Sequence, residues 1–181
     1  MGEIKSTLDL VMEKTRHLTL SQTEKEAQKR IEVNNRLKGL IQKYQDGFLK
    51  KDNLKKELDN LKIAYDLNVN EMLADLLLNS LKIGQDNTVF LELLRKMFGL
   101  NLSGLEKIFQ NFKAAVKSAT KKRVDQIKTD LSKKRFISGS AVVPNLESDR
   151  EWLSTLGHIM DGFDQTLNKE KAALTKELSL D

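Results

Sequence analysis

Apolar residues return every three or four positions along most of this chain, the spacing of one face of an α-helix. Ile4, Leu8, Val11, Thr15 and Leu18 form the first such stripe and predict a helix over residues 3–17. Ser21-Gln22-Thr23-Glu24 then reads as a capping box: the serine hydroxyl can accept from an early helical N–H while the glutamate reaches back. The helix it opens is expected to run to Gln45 with Ala27, Ile31, Leu37, Ile41 and Tyr44 inward, and to stop at Asp46-Gly47. Leu54, Leu58, Leu61 and Tyr65 mark the next helix. These early segments are thinly apolar and heavily charged, which suits a hairpin or coiled-coil-like extension.

The pattern thickens from Leu67 to Phe109, where 22 of 43 residues are apolar. The nearly continuous stretch Met72 to Leu78 predicts a helix buried on most of its circumference, in a core or at an interface. Gly84-Gln85-Asp86-Asn87 reads as a turn, Val89 to Phe98 as a short helix closing at Gly99, and Ser103 as the cap of a long helix over 103–132. The inward stripe of that long helix is Leu105, Ile108, Phe109, Phe112, Val116, Ile127 and Leu131. Pro144 then forces an interruption, since it lacks an amide N–H and disfavours helix in the residue before it. Ser148 or Asp149 should cap a last helix over 149–178, with Trp152, Leu156, Ile159, Phe163, Leu167, Leu174 and Leu178 on one face.

The fold class that follows is all-α: a multi-helix bundle of about seven helices. Residues 1–66 form its charged N-terminal hairpin and residues 67–181 a helical core, and the two together could make one domain. Length adds that 181 residues can bury a real core. One Pro and nine Gly leave little of the punctuation that many-stranded folds require.

Composition excludes much chemistry. The chain has no Cys, which removes disulfides, thiolate metal sites and a cysteine nucleophile together. Its two histidines, His17 and His158, stand far apart and outside any metal-ligand spacing. No Gly-x-Ser-x-Gly elbow, phosphate-binding glycine loop or dinucleotide fingerprint occurs. Asp161 lies three residues from His158, but a surface contact is the expected reading of that pair. Met1-Gly2 with Ser6 fits the loose myristoylation pattern, yet Glu3 follows the glycine, and lipidation is not expected. No secretory signal or long apolar run is present, so the expected location is cytoplasmic. No catalytic residue, metal or cofactor is assigned.

Charge gives the sharpest signal. Residues 113–135 carry a net +7 while the whole chain carries +5, so the rest of the chain is slightly acidic. Lys113, Lys117, Lys121, Lys128 and Arg135 fall within about 80° on one edge of the long helix. Lys117 to Arg135 would span about 27 Å, enough to follow several phosphates or to lie on an anionic membrane surface. No aromatic residue is interleaved for base stacking, and Arg123 falls on the apolar arc, where its stem is expected to snorkel. Residues 93–112 trace the outline of a helix-turn-helix, although an ordinary helical corner is the simpler expectation.

The loop over residues 136–147 is too apolar for a solvated linker. Phe136, Ile137, Val142, Val143 and Pro144 are therefore expected to lie against the core or a partner, as a clasp between the basic helix and the Trp152 helix. The functional expectation is a non-catalytic protein–protein interaction or scaffold module, with self-association through the apolar helices or the hairpin. The alternative is a non-specific nucleic-acid binder using the basic helix. No membrane partner and no small-molecule substrate are expected.

Overall fold

The structure is a computed structural model and describes residues 21–178; the helix expected over 3–17, together with His17, lies outside the described residues. All regular structure among the described residues is helical, in six helices rather than the seven expected over the whole chain. They are α1 (Gln22–Gln45), α2 (Lys51–Tyr65), α3 (Val69–Ser80), α4 (Thr88–Phe98), α5 (Ser103–Arg135) and α6 (Arg150–Leu178). No helix among these residues is long and apolar enough to cross a membrane. The chain divides into two compact units between Leu73 and Ala74, inside α3.

In the first unit the capping box forms as the sequence predicts. The Ser21 amide donates to Glu24 Oε2 at 2.7 Å and the Glu24 amide donates to Ser21 Oγ at 3.2 Å. α1 ends at Asp46, and Gly47 takes φ 76°, which a residue with a Cβ would resist. The five residues that follow α1 return the chain as α2, which packs on α1 through Val33, Leu37 and Ile41 against Leu54, Leu58 and Leu61. Far from the turn, the Tyr65 hydroxyl donates to Glu32 Oε1 at 2.5 Å, and Arg36 both pairs with Glu32 at 2.9 Å and covers the Tyr65 ring. These bonds hold the Glu32 carboxyl below the ordinary range, the Tyr65 hydroxyl contributing most.

One expected stripe is corrected. Ala27 and Ile31 do not turn inward; both are exposed, and no residue from Gln22 to Glu32 is buried. Ile31 and Leu37 are six residues apart, which places them about 120° apart around the helix, so one face cannot carry both. The buried phase is Val33, Leu37, Ile41.

In the second unit the dense apolar segment becomes core. Leu77, Leu78, Leu81 and Ile83 are buried with Leu93 and Leu94 of α4, and with Leu105, Ile108 and Phe112 of α5. α5 and α6 pack along one another, with Phe112 meeting Phe163 edge to face at 5.6 Å and Trp152 and Leu167 buried. Between Met72 and Phe98, Leu73, Leu77, Leu78, Leu81, Leu93 and Leu94 are buried, whereas Val89, Phe90, Leu91, Met97 and Phe98 are half-buried. The turn between α3 and α4 is held by Asn87, the one buried polar side chain among the described residues. Its Oδ1 accepts the Lys82 amide at 3.0 Å, and its Nδ2 donates to the carbonyls of Lys82 at 2.8 Å and Gln85 at 3.1 Å. Asn87→Ala would leave all three backbone groups without that partner, and urea unfolding is expected to show a loss of about 2 kcal/mol.

Candidate partner-binding surfaces

α5 runs for 33 residues, a rod of roughly 50 Å. Its helix begins at Ser103, but Asn101 rather than Ser103 supplies the side-chain acceptor, with Oδ1 taking the Ser103 amide at 3.1 Å. Of the basic stripe, Lys113, Lys117, Lys121 and Arg135 are exposed and Lys128 is half-buried. Among the described residues, no carboxylate lies within ion-pair distance of Lys117, Lys121, Lys128 or Arg135. Beside the stripe Asp130 pairs with Lys134 at 3.3 Å, and Asp125, Asp130 and Glu151 line the same groove as Lys121.

Arg123 does not snorkel. It is half-buried and closes a three-residue clamp between α5 and α6. Its Nε donates to Asp149 Oδ1 at 3.1 Å and its Nη2 to Asp149 Oδ2 at 2.8 Å, a bidentate fork, while Nη1 meets Glu151 at 2.6 Å. Asp149 is at the same time the expected cap of α6, since its Oδ1 accepts the Trp152 amide at 2.7 Å. The Arg123 guanidinium first, and the Trp152 amide second, hold the Asp149 carboxyl below its ordinary range. An arginine on an apolar arc needs water or a carboxylate at its tip, and only the packing of α5 on α6 brings Asp149 there.

A depressed carboxyl pKa favours the folded state only while the carboxyl is ionised. Its contribution is complete above the unfolded aspartate value of about 3.9 and is lost as pH falls through the lower folded value. Thermal melts between pH 7 and pH 2 are expected to fall more steeply below about pH 4 for the native chain than for Asp149→Asn. Parallel curves would show that the clamp contributes nothing to acid sensitivity.

The loop after α5 departs from expectation. Phe136, Ile137 and Val143 face solvent at 92%, 46% and 85% exposure, so the apolar clasp does not lie against the core; Val142 and Pro144 are only half-buried. Phe136 sits where a helix-ending glycine is usual, at φ 56°, with the Phe136 and Ile137 amides both donating to the Leu131 carbonyl. A bulky residue in that left-handed region is strained by about 1 kcal/mol. The loop is fixed at its far end by the Asp149 clamp, so the apolar side chains are presented from a segment anchored at both ends.

The helix-turn-helix outline resolves into a corner. Gly99 turns the chain at φ 66°, and Arg95 of α4 pairs with Glu106 of α5 at 2.6 Å, binding internally a residue that a recognition helix would direct at bases. Lys107, Gln110 and Asn111 are exposed. His158 and Asp161 are both exposed, with no ion pair between them. Among the described residues, no group of three or more His, Asp or Glu side chains is placed to hold a metal ion. The grooves beside α5 are open: one is lined by both charge signs, Lys121 and Lys122 with Asp125, Asp130 and Glu151, and another by Leu91, Phe109 and Phe112 among others. No protein-family model, no curated protein and no solved structure matches this chain.

Proposed function

We propose that the protein is a non-catalytic helical interaction module that self-associates through the start of α1, pairing helix to helix in a coiled-coil-like manner. The observation that carries this reading is the first three turns of α1, Gln22 to Glu32, in which every residue is exposed. An isolated helix of that length is marginal in water, and packing of an apolar face is what ordinarily holds such a segment. Ala27 and Ile31, one turn apart, supply a face distinct from the one that packs on α2. A second copy brings the same face, and the surrounding Glu24, Glu26, Lys25, Lys29 and Arg30 supply both charge signs for register. The face is small, so the association is weak and reversible. The double variant Ala27→Glu/Ile31→Glu is expected to abolish concentration-dependent association in light scattering while leaving the melting temperature unchanged. Association that survives it would move the interface elsewhere.

A second reading is favoured by the basic stripe: Lys113, Lys117, Lys121, Lys128 and Arg135 bind a nucleic-acid backbone without sequence preference. The unpaired cationic edge supports it. Duplex binding at low salt should then weaken with a slope of about 0.9 per phosphate contact on logarithmic axes, and Glu at Lys117, Lys121 and Lys128 should eliminate it. A native chain that shifts no nucleic acid at low salt ends this reading.

A further inference from the structure

We propose that the C-terminal end of α5 and the loop that follows it dock on an anionic lipid bilayer. The proposal stands apart from the α1 surface and uses different residues. Lys133, Lys134 and Arg135 form the last turn of α5, and Phe136, Ile137 and Val143 stand beyond them in solvent. From Leu131 to Leu146 the chain contains three cations and no carboxylate. Asp130 engages Lys134, which leaves Lys133 and Arg135 with no ion pair among the described residues. Apolar side chains at the tip with a cationic collar behind them match the layering of a bilayer surface, whose acyl boundary lies beneath anionic headgroups.

Three features favour a bilayer over the other anionic surfaces. Ile137 and Val143 are aliphatic and gain nothing from stacking on bases, whereas they gain from leaving water for an acyl layer. Phe136 and Val143 are almost fully exposed and Ile137 about half so, and a bilayer accepts such projecting groups without a matching pocket. Phe136 is held outward in a strained backbone conformation by bonds to Leu131, so the anchor is set before binding. One aromatic and two aliphatic side chains with a few cations give reversible association, not permanent anchoring.

The test is flotation of the full chain with phosphatidylcholine vesicles containing roughly 30% phosphatidylserine, and with phosphatidylcholine alone, at about 0.1 M salt. Binding to the first and not the second is expected. Phe136→Ala with Val143→Ala should weaken it on the order of tenfold, and Lys133→Ala with Arg135→Ala by a similar factor. Circular dichroism melts will check that these exposed substitutions leave the fold intact. A second readout needs no loss of binding: Trp152 is the chain's one tryptophan and is buried, so Phe136→Trp adds an exposed fluorophore whose emission should move to the blue with the anionic vesicles. The proposal is overturned by no binding to anionic vesicles. It is equally overturned by binding that ignores the Phe136 and Val143 changes with no blue shift, which is surface electrostatics alone. Displacement of the vesicles by duplex DNA through the same loop residues would make the tip a nucleic-acid surface. Loss of a protein partner in the loop variants without any vesicle binding would make it a protein surface.

Discussion

Leu94→Ala is expected to cost about 3 kcal/mol and to lower the melting temperature by roughly 10 °C. Leu94 in α4 is fully buried, as are Leu77 and Leu78 of α3 and Leu105 of α5 in the same unit. Removing three carbons there loses transfer free energy and leaves a cavity that helices anchored by the Gly99 corner and the Arg95–Glu106 pair cannot easily close. Leu91, on the same helix but lining an open groove, should cost much less when replaced by Ala, because water fills the space it leaves. Equal losses at the two positions, measured by urea unfolding, would show that α4 does not present Leu94 and Leu91 to different environments.

The second large effect has opposite signs in two assays. Phe136→Gly should raise stability by about 1 kcal/mol, shown as a melting temperature higher by about 2–4 °C, because glycine takes φ 56° without strain. The same change removes the most exposed aromatic of the tip and should weaken binding to anionic vesicles on the order of tenfold. A residue that costs stability and adds binding is the pattern expected where function holds a side chain against local preference. A melting temperature that falls, or vesicle binding that stays unchanged, would remove that interpretation of Phe136.

What the sequence made legible was local. The capping box at Ser21 and Glu24, the glycine stop at Gly47 and the Asp149 cap depend on residues within four positions of one another, and all three form. Long stripes were legible where their phase is unbroken, as in α6 with Trp152, Leu167 and Leu174 buried on one face. The stripe of α1 was less legible because Ile31 and Leu37 belong to two different faces of the helix, about 120° apart. Asn87 was legible as part of a turn but not as its buried hub, since its bonds to Lys82 and Gln85 exist only once the turn is built. The Arg123–Asp149 pair spans 26 residues and required the packing of α5 on α6 before it could be seen. For the loop, cover by the core or by a partner was expected on the ground that apolar residues find cover, and the exposure of Phe136 and Val143 removes the core alternative only.

Self-association through the exposed start of α1 is tested most directly by sedimentation equilibrium of the purified chain. The chain weighs 20.7 kDa. A mass that climbs toward twice that value as concentration rises through roughly 100 µM, and stays at the single-chain value for Ala27→Glu/Ile31→Glu, is the predicted result. A native chain that sediments as a single copy at every concentration would contradict it.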